Sequence, residues 1–221
     1  MIKEEKNSYH HGNLKEALLE EALNIIKNES LETLTLRELT TRVGASRSAI
    51  YRHFSNKEDM LKQVILAGFE QLDEEMAPIF ENSELPILEK FALMGSSYIK
   101  FAVDNPNLYR LLFGPKHMKE REEVCQSQKP ELHELKTNHT GLDKLDEMES
   151  NGFHKLVVLI VTAQEQKIFK AQNPLLLATT IWSSLHGLSS LIIDGHDFGD
   201  FDAQILYQSN LETILNGLLI T

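Results

Sequence analysis

Apolar residues recur along this chain at intervals of three and four, and no stretch alternates apolar with polar residues over a useful length. That period belongs to helices. Leu14, Ala17, Leu18, Ala22, Leu23, Ile25 and Ile26 lay a broad apolar stripe on a first helix over 14–28, which Asn13 is placed to cap. Thr35, followed three residues later by Glu38, has capping-box spacing and opens a second, short helix through Leu36, Leu39 and Val43. Gly44 breaks that pattern, as the turn after a helix requires of a residue tolerant of positive φ. Ser46 can cap a third helix whose apolar positions are Ala49, Ile50 and Phe54. Ser55 or Asn56 then starts a fourth, from Lys57 through Met60, Leu61, Val64, Ile65, Gly68, Phe69 and Leu72 to Met76. Its length is about twenty residues, roughly 30 Å, and Pro78 is expected to close it.

Pro86 suits the first turn of a helix over 87–104, with Ile87, Leu88, Phe91, Met94, Tyr98, Phe101 and Ala102 on its apolar face. Pro106 starts a short helix ending near Phe113 and Gly114. Residues 115–140 are charged and weakly periodic, which predicts a partly helical segment around a loop. A further helix is expected over 146–172, another from Pro174 to Asp194, and a last one over 203–219 after the Gly195–Gly199 turn. The fold class is therefore all-α, with about nine helices: an N-terminal three-helix helix-turn-helix domain over 1–57 and a helical bundle over 58–221. Two short helices joined by a Gly turn place the second in the DNA major groove.

Charge sharpens that reading. Between 35 and 57, Arg37, Arg42, Arg47, Arg52 and Lys57 oppose only Glu38, a basic island of about +4 in a chain of net charge −11. Residues 1–60 hold 9 Lys/Arg against 10 Asp/Glu, and residues 61–221 hold 13 against 23, so the acidic body must sit away from the duplex. Residues 1–13 read as an arm whose Lys3 and Lys6, with Lys15, can follow phosphates. The apolar share of 42% and charged share of 25% are ordinary for a globular protein. The single cysteine, Cys125, excludes an internal disulfide and fits a reducing cytoplasm. Residues 1–13 lack the apolar core of a signal peptide, and no uninterrupted apolar run approaches the ~18 residues of a membrane span.

The run from Leu14 to about Leu72, above all TLRELTTRVGASRSAIYRHFSNKEDML, resembles the DNA-binding domain of the tetracycline-repressor (TetR) family. Trp182, His186 and Gly187 also resemble the tryptophan–histidine–glycine signature of one C-terminal subgroup. The resemblance implies a repressor that dimerises through its last two helices, binds a pseudo-palindromic operator and is released by a small molecule. It assigns Arg47, Ser48, Ala49 and Tyr51 to base edges and nearby backbone, and Thr35, Tyr51, His53 and Lys57 to phosphates, with Ser46 beside them. Arg47 is the best base reader, because a guanidinium fork spans guanine O6 and N7. Ala49 departs from the polar residue of many relatives and suits a thymine methyl. Ile50 and Phe54 read as core.

Phe91, Met94, Tyr98, Phe113, Phe153, Trp182 and His186, with Phe101 and Leu112, are the candidate walls of an effector pocket for an apolar or aromatic molecule. A packed helical core would use the same residue types, and His186 on its own reads as a hydrogen-bonded core histidine. His133, His139, His154, Glu165 and His186 could join carboxylates as metal ligands, but no HxxxH or ExxH pair supports them. There is no P-loop, GxSxG or dinucleotide-binding glycine run, so neither a cofactor nor an enzyme is expected. The alternatives are a helical enzyme, indifferent to loss of Arg47, and an interaction adaptor with a helix-turn-helix that binds no DNA.

Overall fold

The computed structural model describes residues 14–127 and 152–220. The expected arm, the Asn13 cap, His133, His139 and the start of the helix expected at 146 lie outside the described residues. Among those described, the chain forms ten helices: α1 (Leu14–Asn28), α2 (Leu36–Val43), α3 (Arg47–Ile50), α4 (Lys57–Glu81), α5 (Ile87–Asp104), α6 (Pro106–Phe113), α7 (Met118–Ser127), α8 (Gly152–Glu165), α9 (Pro174–Ile193) and α10 (Ala203–Leu218). One more than expected appears because α7 forms within the charged 115–140 stretch.

Three consecutive helices are started by side-chain caps. Thr35 Oγ1 accepts from the Glu38 amide at 3.1 Å, Ser46 Oγ from the Ala49 amide at 3.2 Å, and Asn56 Oδ1 from the Asp59 amide at 2.9 Å. Gly44 ends α2 at φ 70°, the left-handed region the turn requires. Only half of the expected capping box forms, because Glu38 turns its carboxylate to Arg42 Nε at 2.7 Å. Leu18, Ala22, Ile25 and Ile26 of α1 bury completely with Leu34, Leu39, Ile50 and Phe54, which holds α1 to α3 as one head.

Helix α4 does not stop at Pro78 but continues to Glu81, 25 residues in all and about 37 Å long. Proline forfeits one backbone bond, yet Ile79 and Phe80 pack on the core beyond it, and Lys90 Nζ donates to the Phe80 carbonyl at 2.7 Å. Conversely, α8 ends at Glu165 rather than near 172. Lys167 turns at φ 58°, the Ile168 and Phe169 amides donate back to the Ala163 carbonyl at 2.9 and 3.1 Å, and Phe169 is buried against Phe91. Burying that ring is what breaks the helix the apolar pattern suggested.

Helix α4 packs against α1 at one end and against α5, α6, α7 and α8 along the rest, while α9 lies on α5, α8 and α10. Although Thr179, Thr180, Ser183, Ser184 and His186 interrupt every apolar run, α9 is long and apolar enough to cross a membrane, with a mean hydropathy of 1.4. Only 28% of that window is buried within the protomer. Head and body are also tied by Asn107 of α6, whose Nδ2 donates to the Ile26 carbonyl at 3.1 Å and the Glu29 carbonyl at 3.3 Å. These are carbonyls near the end of α1, where helices need outside donors.

Candidate DNA-reading surface and ligand cavity

The head presents one polar, basic face. Thr35, Ser46, Arg47, Ser48, Tyr51 and Lys57 are exposed, with Ala49 and His53 partly so, while Ile50 and Phe54 fill the core behind them. Tyr51 is among the exposed large side chains, at 55%. Ser46 and Ser48 hydroxyls lie 3.1 Å apart beside Arg47. Arg37, Arg47, Arg52 and Lys57 form no ion pair among the described residues, so their charges are available to an external anion. Arg42 is the exception and leaves the basic island. It reaches Glu29 at 2.6 Å, Glu38 at 2.7 Å and Glu21 at 3.5 Å, a cross-tie between α1 and α2. Behind the face, Gln63 of α4 donates to the His53 carbonyl at 3.2 Å, coupling α4 directly to the reading segment. Asp59 fixes the link between them by accepting from the Ser55 amide at 2.7 Å, and that bond first of all lowers its carboxyl pKa.

The body holds a cavity of about 630 Å³ lined by residues of α4 to α10. All seven principal expected wall residues line it: Phe91, Met94, Tyr98, Phe113, Phe153, Trp182 and His186. Leu112 joins them, but Phe101 does not; it is fully buried and belongs to the core. Leu185 faces inward and lines the cavity as well, so it is no part of an outer face of α9.

The cavity contains an aromatic, hydrogen-bonded wall. His186 stacks between Tyr109 and Trp182, with ring centroids 5.5 Å from each. Tyr109 Oη lies 2.6 Å from His186 Nδ1 and 3.0 Å from Tyr98 Oη, and Trp182 Nε1 donates to Tyr98 Oη at 3.2 Å. Burial raises both phenols, Tyr109 to about 12 and Tyr98 further, so both remain neutral donors or acceptors. Burial, with the Arg121 charge second, lowers the His186 pKa and favours the neutral ring. His186 is thus both the hydrogen-bonded histidine expected and a cavity wall.

Sequence patterns missed the polar lining: Asp73, Arg121, Cys125, Thr179, Tyr207 and Asn210. Lys155, only 3% exposed, reaches Asp73 Oδ2 at 2.6 Å. Asp73 Oδ1 and Asn210 Oδ1 are buried without a donor. A Lys inside an apolar run was the available signal, since a buried ammonium demands a partner. Among the described residues, no group of three His, Cys, Asp or Glu is placed to hold a metal, and His154, Glu165 and His186 are not gathered.

Residues 15–64 match the model for bacterial regulatory proteins of the tetR family, and residues 91–214, over half the chain, match the tetracyclin repressor-like C-terminal domain. Trp182, His186 and Gly187 fall within the second match. Curated relatives include the nucleoid occlusion factor SlmA of Vibrio cholerae serotype O1, 32% identical over 113 residues, which are 51% of this chain and 57% of that protein. SlmA of Aliivibrio fischeri is 32% identical over 97 residues, 44% of this chain and 49% of that one. The chain thus spans about half the length of the curated relatives it matches. Among solved structures, a Rhodococcus sp. RHA1 protein of unknown function shares the fold with TM-score 0.73 at 21% identity, covering 97% of this chain and all of that one. A TetR-family transcriptional regulator from Pectobacterium atrosepticum aligns with TM-score 0.63 at 20% identity over 96% of this chain and 98% of its own. With both halves matched in the same order and a helix-turn-helix head on an all-helical body, the chain belongs to the tetR family of bacterial regulatory proteins.

Proposed function

We propose that this chain is a homodimeric, cytoplasmic DNA-binding regulator, a repressor that an apolar or aromatic small molecule releases from a pseudo-palindromic operator. In this reading residues 1–57 contact DNA and residues 58–221 sense and dimerise. The observation that carries it is α4, a single helix with Lys57 on the reading face and Phe69, Leu72, Asp73 and Met76 on the cavity wall. In this reading a shift of the wall residues at one end of α4 is carried to the reading head at the other. Two recognition helices must stay about 34–36 Å apart to enter successive major grooves, so a small pivot suffices for release. The ligand must bind the released arrangement more tightly, and a coupling of ~1–3 kcal/mol lowers operator affinity roughly 5–150-fold.

The outer faces of α9 and α10 support dimerisation. Leu176 is 70% exposed, Leu191 42% and Ile205 47%, with Leu188 and Ile192 half-buried between them. Apolar faces of that extent on successive helices suit a self-complementary interface. Arg47 with Ser48, Ala49 and Tyr51 would read bases, and Thr35, Ser46, His53 and Lys57 would hold phosphates. The test is fluorescence anisotropy on an operator selected from random DNA, titrated with a library of apolar compounds while Trp182, the chain's single tryptophan, reports occupancy. A compound that both shifts Trp182 emission and frees the operator supports the reading; occupancy without any change in operator affinity contradicts it.

A further inference from the structure

Arg121 of α7 lines the aromatic cavity, partly buried, and no carboxylate lies within 4.0 Å of it among the described residues. Its one hydrogen bond there runs from Nη1 to the Gly114 carbonyl at 2.6 Å, with Nη2 and Nε unengaged among the described residues. The other charged group on the wall, Asp73, is already neutralised by Lys155 at 2.6 Å. Among the described residues the lining therefore carries one positive charge with no carboxylate partner, in a chain of net charge −11. A guanidinium facing an apolar cavity is costly unless an anion meets it, and its planar fork matches a carboxylate through two parallel bonds.

We infer that the effector is a carboxylic acid of single negative charge with an apolar body, its carboxylate held by Arg121 Nη2 and Nε and its body among Phe91, Phe153 and Trp182. This rests on the cavity being the effector site and names the ligand class for it. A second carboxylate is disfavoured, because Asp73 Oδ1 and Asn210 Oδ1, the buried acceptors at the wall without a donor, would repel it. A hydroxyl or amide N–H at the far end of the ligand would suit those same oxygens.

The test uses calorimetric titration of the full chain with three matched probes: dodecanoate, dodecanamide and dodecylammonium, alongside 2-naphthoate and 2-naphthamide. Each acid should bind about tenfold to a hundredfold more tightly than its amide, the range of a charge-assisted pair, and the ammonium should bind most weakly. In Arg121→Met the acid's advantage over the amide should vanish. Arg121→Lys, which keeps the charge without the fork, should retain part of it and guards against a merely misfolded variant. If acid and amide bind alike and Arg121→Met changes neither, the anion subsite is overturned while the apolar cavity stands. If no probe binds wild-type protein, both the subsite and the cavity as effector site are overturned.

Discussion

Lys155→Met removes the ammonium of a buried ion pair and leaves Asp73 facing the cavity alone. Lys155 is 3% exposed and its partner carboxylate 29% exposed, with the two 2.6 Å apart. Deleting one member of a fully buried pair costs about 3–5 kcal/mol, and the partial exposure of Asp73 brings the expectation here to about 2–3 kcal/mol. For a chain of this length that is a fall in Tm of about 4–12 °C, measured by calorimetry at one fixed protomer concentration. The double variant Lys155→Met with Asp73→Leu replaces the pair by apolar groups of similar size and should recover most of the loss, a coupling above about 1.5 kcal/mol. Single and double variants melting together would refute the reasoning.

Leu176→Glu and Leu191→Glu should each convert a dimer to protomers in sedimentation at micromolar concentration, because a charge would be buried unpaired at the interface; Leu185→Glu should instead destabilise the protomer, since Leu185 faces the cavity. His186, whose pKa is lowered by burial first and Arg121 second, should make the protein less stable as pH falls through and below about 6.5, where the unfolded chain binds the proton and the folded one resists it; His186→Phe should flatten that slope in urea titrations. Gly95→Ala should loosen α10 from α5, because a methyl there would stand 2.6 Å from the Tyr207 hydroxyl that bonds the Ala92 carbonyl; weaker protection of α10 amides in hydrogen exchange checks it.

The head was legible because its signals are local. Thr35, Ser46 and Asn56 cap helices within three residues of themselves, Gly44 supplies its own φ, and exposure of Arg47 and Tyr51 follows from Ile50 and Phe54 being apolar on the opposite side. The seven cavity residues were legible as a stripe, but not that the stripe encloses space, which depends on where α7, α8 and α10 come to rest. What escaped was long-range pairing. Arg42 counted in the basic island until Glu21 and Glu29 were placed beside it, 21 and 13 residues away in sequence. Lys155 finds Asp73 across 82 positions, and Phe169 ends α8 to reach Phe91. Leu185 could not be sided, because α9 is apolar on nearly every face.

The central claim is that the 35–57 face reads DNA through Arg47. Selection of bound duplexes from random sequence, run in parallel with wild type, Arg47→Ala and Lys57→Ala, tests it most directly. Wild type should enrich two inverted half-sites; Arg47→Ala should cost about 1–3 kcal/mol on that site and relax preference at one base position in each half. Lys57→Ala should weaken all sequences alike and lower the salt dependence of binding. No enrichment by the wild type, or an unchanged preference in Arg47→Ala, would contradict the account.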